Sequence, residues 1–118
     1  MEDSAEPELE VEVSTVGDVT VIAVSGELDA ASTADLEAPL SDAGANADAI
    51  LLDLSDCQFV DSTGLHAIID ARAAIEERGG RFALCCVENG PVARVIDVAL
   101  PGMLELHPSR EAALQSLR

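Results

Sequence analysis

The run Phe59-Val60-Asp61-Ser62-Thr63-Gly64-Leu65 sets a carboxylate and two adjacent hydroxyls between a strand-like segment and a helix-like one. At the start of a helix the first four N–H groups have no intrahelical partner, and the macrodipole there favours negative charge. A phosphoryl group on a seryl oxygen at that position is held as well as displayed. Ser62 is the candidate acceptor. The plainer alternative is that Ser62, or Asp61 beside it, only caps the helix, a role worth about 1 kcal/mol.

Enzymatic chemistry has less support. A seryl nucleophile needs a general base, and Ser62 lies in no G-x-S-x-G turn and has no convincing His partner. Asp61-Ser62-Thr63-Gly64 has one residue more than the D-T-G or D-S-G triplet of aspartic proteases. His66 and His107 stand far apart with no adjacent Cys pair, so neither a metal nor a cofactor is expected, and His66 reads as a rim residue of its helix. No G-x-x-x-x-G-K-[ST] loop is present. Leu51-Leu52-Asp53-Leu54 does resemble the strand that carries the phosphorylated aspartate of response-regulator receiver domains. That chemistry requires an acidic pair after the first strand and a late lysine, whereas this chain has no lysine and opens with a hairpin pattern.

The elements that must position the run follow from periodicity. Residues 1–7 read as a flexible acidic lead, and residues 8–118 as one domain. Leu9, Val11 and Val13 alternate with polar residues, the signature of a strand with one wet face. Val16-Gly17-Asp18 is a turn, and Val19 to Ser25 a nearly continuous apolar strand ended by Gly26, so the two strands form an antiparallel hairpin. A helix follows to about Ala43, with Ser32 as N-cap, Asp35 as capping-box partner, and Pro39 expected to kink it or end it early. Ala49 to Leu54 is a buried strand and Ser62 to about Arg78 an amphipathic helix stopped by Gly79-Gly80. Then come a strand from Arg81 to Val87, a helix opened by Pro91 and running to about Val98, a strand from Met103 to His107, and a last helix capped by Ser109. A hairpin followed by alternating helices and strands specifies an α/β sandwich with a mixed, mostly parallel sheet. In such folds, sites gather where strand ends lead into helix N-termini, and Asp61-Ser62 lies at such a junction.

Composition narrows the partners. A chain of 118 residues with 48% hydrophobic content, two Phe and no Trp or Tyr builds one core from Val, Ile, Leu and Ala, and has no aromatic platform for nucleobases. Residues 1–71 hold 17 acidic groups and no base; residues 72–118 hold six acidic groups and six Arg, so the net charge of -17 resides in the first part. Nucleic acid and anionic membranes are poor partners for that field, and a basic protein surface is a good one. The plain alternative is that the charge only keeps the chain soluble. Cys57, Cys85 and Cys86 have no C-x-x-C spacing, and neighbours in a strand point to opposite faces, so Cys85 and Cys86 read as separate buried hydrophobes. With an acidic N-terminus and no apolar stretch near the roughly 20 residues needed to span a bilayer, a cytoplasmic location is expected.

Gly26-Glu27-Leu28-Asp29, a helix, Ile50-Leu51-Leu52-Asp53-Leu54 and then Phe59 to Leu65 together resemble the STAS domain of bacterial anti-sigma factor antagonists, a likeness that continues through Gly79-Gly80. The resemblance implies a small partner-switching protein, not an enzyme. Its serine after the motif aspartate, here Ser62 with Thr63 as runner-up, is phosphorylated by a cognate anti-sigma factor serine kinase. The unphosphorylated form binds that kinase and frees the sigma factor, and a protein serine phosphatase resets the switch. The implied partner surface is Asp29, Asp61, Ser62, Thr63, Gly64, Leu65 and His66. His66, where the family commonly has small residues, and Pro39 in the first helix depart from the pattern. A STAS scaffold module of a transporter or sensory complex, without sigma control, is the alternative function.

Overall fold

The computed structural model describes residues 9–117, so the acidic lead expected over residues 1–7 lies outside the described residues. Strands β1 (Leu9–Val16) and β2 (Val19–Leu28) form the opening antiparallel hairpin, followed by α1 (Thr33–Asn46), β3 (Ala49–Val60) and α2 (Ser62–Glu77). β4 (Arg81–Cys85), α3 (Pro91–Ala99), β5 (Leu106–His107) and α4 (Arg110–Ser116) complete the chain. The strands lie in the order β1-β2-β3-β4-β5, with every pair after the first parallel. Because that order never reverses, crossovers of one hand all land on one face. Accordingly α1, α2 and α3 bury Leu36, Leu40, Leu65, Ile68, Ile75, Val92 and Ile96 against Ile22, Val24, Ile50, Leu52 and Leu84. α4 follows the last strand and covers part of the opposite face, packing Ala113 and Leu117 against Val19, Val21, Leu51 and Cys85. Cys86 lies in the three-helix core, so the two neighbouring cysteines do face opposite ways.

Several expectations needed correction. β3 does not stop at Leu54 but continues to Val60, and β2 passes through Gly26 to reach Leu28. The register between them shifts twice, between Ala23 and Ser25 and between Gly26 and Glu27, where β3 spends an extra residue against β2. These bulges bend the far end of β3 and let the polar stretch Ser55-Asp56 stay in the ladder, which its composition had concealed. Pro39 does not end α1 early, for the helix runs seven residues past it to Asn46. The proline removes one N–H donor, but Leu36 and Leu40 on either side are fully packed into the core, and packing outweighs the lost bond. β4 ends at Cys85, short of Val87, and β5 is only Leu106–His107, because Met103 belongs to the turn that leaves α3.

Candidate functional site

Asp61 is extended at φ -107° and ψ -174°, and its Oδ1 accepts a hydrogen bond from the Gly64 N–H at 3.1 Å. Asp61, not Ser62, is therefore the N-cap of α2, which removes the plain capping role for the serine. Ser62 and Thr63 are the first two helical residues. Both are exposed, and among the described residues neither hydroxyl has a hydrogen-bond partner. With Gly64 N–H taken by the cap and Leu65 N–H bonded to the Asp61 carbonyl at 3.0 Å, the N–H groups of Ser62 and Thr63 are the donors left at the helix end.

The same turn is pressed onto the end of β2. Asp61 N–H donates to the Leu28 carbonyl at 3.1 Å. A Cβ on Gly64 would lie 2.9 Å from both Leu28 Cγ and Val60 Cγ2 and 3.0 Å from the Leu28 carbonyl oxygen, so only glycine permits this approach. Gly64→Ala is expected to lower stability by about 1–3 kcal/mol as α2 backs away from β2. Urea unfolding beside Ser62→Ala, which loses a hydroxyl without a partner among the described residues, checks this; equal midpoints in the two variants would show that the helix end yields freely.

Leu28 ties the motif to the loop that follows β2. Asp29 Oδ1 accepts from the backbone N–H groups of Ala31 and Ser32, both at 3.0 Å, and the Asp29 carbonyl accepts from Thr33 N–H at 2.9 Å and from the Thr33 hydroxyl at 2.6 Å. The Ser32 hydroxyl accepts from Asp29 N–H at 3.0 Å and lies within donating reach of the Glu27 carbonyl, 2.8 Å, and of Asp29 Oδ1, 2.9 Å. These bonds, led by that of the Ser32 hydroxyl, hold the Asp29 carboxyl below its usual value of 3.8. The expected capping box of Ser32 and Asp35 does not form: Ser32 has helical angles and its side chain turns back into the loop. Ser32 and Thr33 are buried, so the loop is fixed from within and not by its surface.

Of the expected surface residues, Ser62, Thr63 and His66 are exposed, Asp29 and Asp61 half-buried, and Gly64 and Leu65 buried. The last two thus shape the site from beneath instead of touching its exterior. Phe59, overlooked as a candidate, is 45% exposed near the end of β3, two residues before Asp61. An aromatic between Gln58 and Val60 in a chain with only two Phe was the available signal.

Asp53, the residue that a receiver would phosphorylate, faces α4. Its Oδ2 accepts from Arg110 Nε at 2.9 Å and lies 2.9 Å from Arg110 Nη2 as an ion pair, and its Oδ1 accepts from Ser55 N–H at 2.9 Å. Burial pushes the carboxyl up, but the bonds from Ser55, Cys85 and Arg110 outweigh it, and the group ends below 3.8. Burial first, and then this carboxylate, push the Cys85 thiol up to about 12, so it is a packed thiol and not a nucleophile.

A mixed sheet with α1 to α3 on one face and a capped serine at a strand-to-helix junction defines a small α/β module built around that junction. The family model of the STAS domain matches residues 10–113, and the chain belongs to the STAS family. An anti-sigma F factor antagonist of Paenibacillus polymyxa is 30% identical over 111 residues, 92% of each chain. The crystal structure of an anti-sigma factor antagonist from Mycobacterium paratuberculosis superposes with a TM-score of 0.80 at 25% identity, covering 98% of this chain and 99% of that one. The phosphorylated form of the Bacillus cell fate determinant SpoIIAA has the same fold, with a TM-score of 0.68 at 22% identity, covering 92% of this chain and all of that one. Among the described residues no helix is long and apolar enough to cross a membrane.

Proposed function

We propose that this chain is an anti-sigma factor antagonist that switches partners through phosphorylation of Ser62. The observation that carries the reading is the exposed Ser62 hydroxyl on the first residue of α2, without a partner among the described residues, with Asp61 locked beside it as the cap. The 30% identical anti-sigma F factor antagonist of similar length supports the class of partner.

In this reading the unphosphorylated chain binds an anti-sigma factor kinase across Asp29, Phe59, Asp61, Ser62, Thr63 and His66, and the sigma factor is released. The kinase transfers a phosphoryl group to the Ser62 hydroxyl, adding about -1.5 to -2 charges at pH 7. The donors at the end of α2 and the helix dipole accommodate that charge within the chain. A partner surface shaped for a neutral hydroxyl meets instead a dianion beside the Asp61 carboxylate, and taking that charge out of water without a counter-ion is costly. Release therefore needs no refolding, and a protein serine phosphatase restores the binding form. Thr63, also exposed, is the second acceptor in this scheme.

Incubation with anti-sigma factor kinases and ATP, followed by intact-mass measurement, tests the proposal. One phosphate on the wild-type chain and none on Ser62→Ala is the expected result. A phosphate that persists in Ser62→Ala and disappears in Thr63→Ala would move the acceptor by one residue. No phosphate with any such kinase would sink the switch and leave the STAS scaffold alternative.

A further inference from the structure

β1 is an outer strand: β2 lies on one side of it and, among the described residues, no strand lies on the other. The hairpin loop is the two residues Gly17-Asp18, with Gly17 at φ 60°, a conformation open to glycine, and Val16 opposite Val19 as the closing pair. In a two-residue hairpin the closing pair exchanges both backbone hydrogen bonds, and bonded and non-bonded pairs alternate from there. Glu12 opposite Ala23 and Glu10 opposite Ser25 are then bonded pairs. The N–H and C=O groups of Val11 and Val13 consequently point away from the sheet, as an open ladder.

The two faces of this edge make different demands. On one face Glu10 and Glu12 join Ala23, Ser25, Asp53 and Asp56 around an open concavity of about 470 Å³. It exists because α4 has only seven residues and because Ala23 and Ser25 are small. The cation in its lining, Arg110, is already engaged with Asp53. On the other face Val11 packs at the margin of the core, and Val13 remains 53% exposed. A strand laid along β1 would therefore meet carboxylates on one side and valines on the other. A second copy of this chain, paired antiparallel, would set its own glutamates among these, and like charges on neighbouring strands destabilise a sheet.

We propose that the outer edge of β1 is a docking site for an extended, basic segment of a partner protein. Arg or Lys alternates there with apolar residues, and the segment adds as a sixth strand. Its backbone pairs with Val11 and Val13, its basic side chains reach Glu10 and Glu12 at the rim of the concavity, and its apolar ones cover Val13. This surface does not include Ser62, so its use does not depend on the switch.

The test is a titration of the ¹⁵N-labelled chain, at physiological salt, with an eight-residue peptide of alternating Arg and Val. The expected result is slowed amide exchange at Val11 and Val13, with shift changes centred on β1 and β2. A Glu-Val peptide should not bind, and Glu10→Gln with Glu12→Gln should weaken the Arg-Val peptide at least tenfold without moving the unfolding midpoint. No binding, or shifts scattered over the acidic surface without slowed exchange at Val11 and Val13, overturns the proposal. So does sedimentation showing that two copies of this chain pair through β1 in its place.

Discussion

Replacing Ser62 by aspartate is expected to weaken binding to the anti-sigma factor kinase by roughly thirtyfold to several hundredfold, that is by about 2–4 kcal/mol. The size of the effect comes from the partner side. Ser62 is exposed on this chain and its oxygen has no partner among the described residues, so nothing within the chain is broken by the change. An acidic group at the first residue of α2 meets the positive end of the helix dipole, so stability should stay level or rise by a few tenths of a kcal/mol. Once the kinase covers the site, the new carboxylate is stripped of water next to Asp61, whose own carboxylate is already bound to Gly64 N–H. Ser62→Asn, of similar size and neutral, separates charge from bulk: it should retain most of the affinity. Calorimetric titration of the three chains into the kinase provides the measurement, with thermal unfolding as the control for folding. Undiminished binding by Ser62→Asp would remove the electrostatic basis of the switch, and equal weakening by Ser62→Asn would replace it with a steric one.

Arg110→Ala is expected to lower stability by about 2 kcal/mol at pH 7. Breaking a buried ion pair commonly costs about 3–5 kcal/mol because the remaining charge is stranded. Here the Asp53 side chain is only 9% exposed but that of Arg110 is 42% exposed, so solvent already screens part of the interaction and the lower figure applies. The pH dependence separates charge from packing. The carboxyl of Asp53 lies below its usual 3.8 in the folded chain, so its bonds add stability above that value and lose it as the pH falls through the folded pKa. Without Arg110, burial is less opposed and the carboxyl titrates higher. In strong acid Asp53 is protonated in both chains, and the difference between them should shrink. Urea unfolding at pH 7 and in acid strong enough to protonate Asp53 in the folded chain reads this out. A gap of equal size at both would mean that the stem of Arg110, packed along the sheet, mattered more than its charge.

The local elements were legible because short-range rules dominate them. Leu9 to Val13 alternates with period two, Gly17-Asp18 closes a tight turn, and Pro91 and Ser109 open their helices as the sequence indicates. Misreadings arose where distant packing overrode such rules. Polar Ser55 and Asp56 argued against a strand, yet pairing with Ser25 and the bulges hold them in β3. Pro39 argued against a longer helix, yet Leu36 and Leu40 anchor α1 in the core. Ser32 had the right type and spacing for a capping box, but the Glu27 carbonyl offered its hydroxyl another partner.

The sequence alone determined that a serine would stand at the first turn of a helix behind an aspartate, since strand, cap and helix there are all neighbours in the chain. Spacing could not decide which residue capped. The tertiary structure settled that Asp61, not Ser62, caps, because Gly64 must approach Leu28 and Val60 for the helix to begin there. It alone joined Asp29 to the motif through Leu28, and Asp53 to Arg110, 57 residues apart. Periodicity reports which face of an element is apolar; which faces and ends meet is fixed by strand order and by the space each side chain leaves.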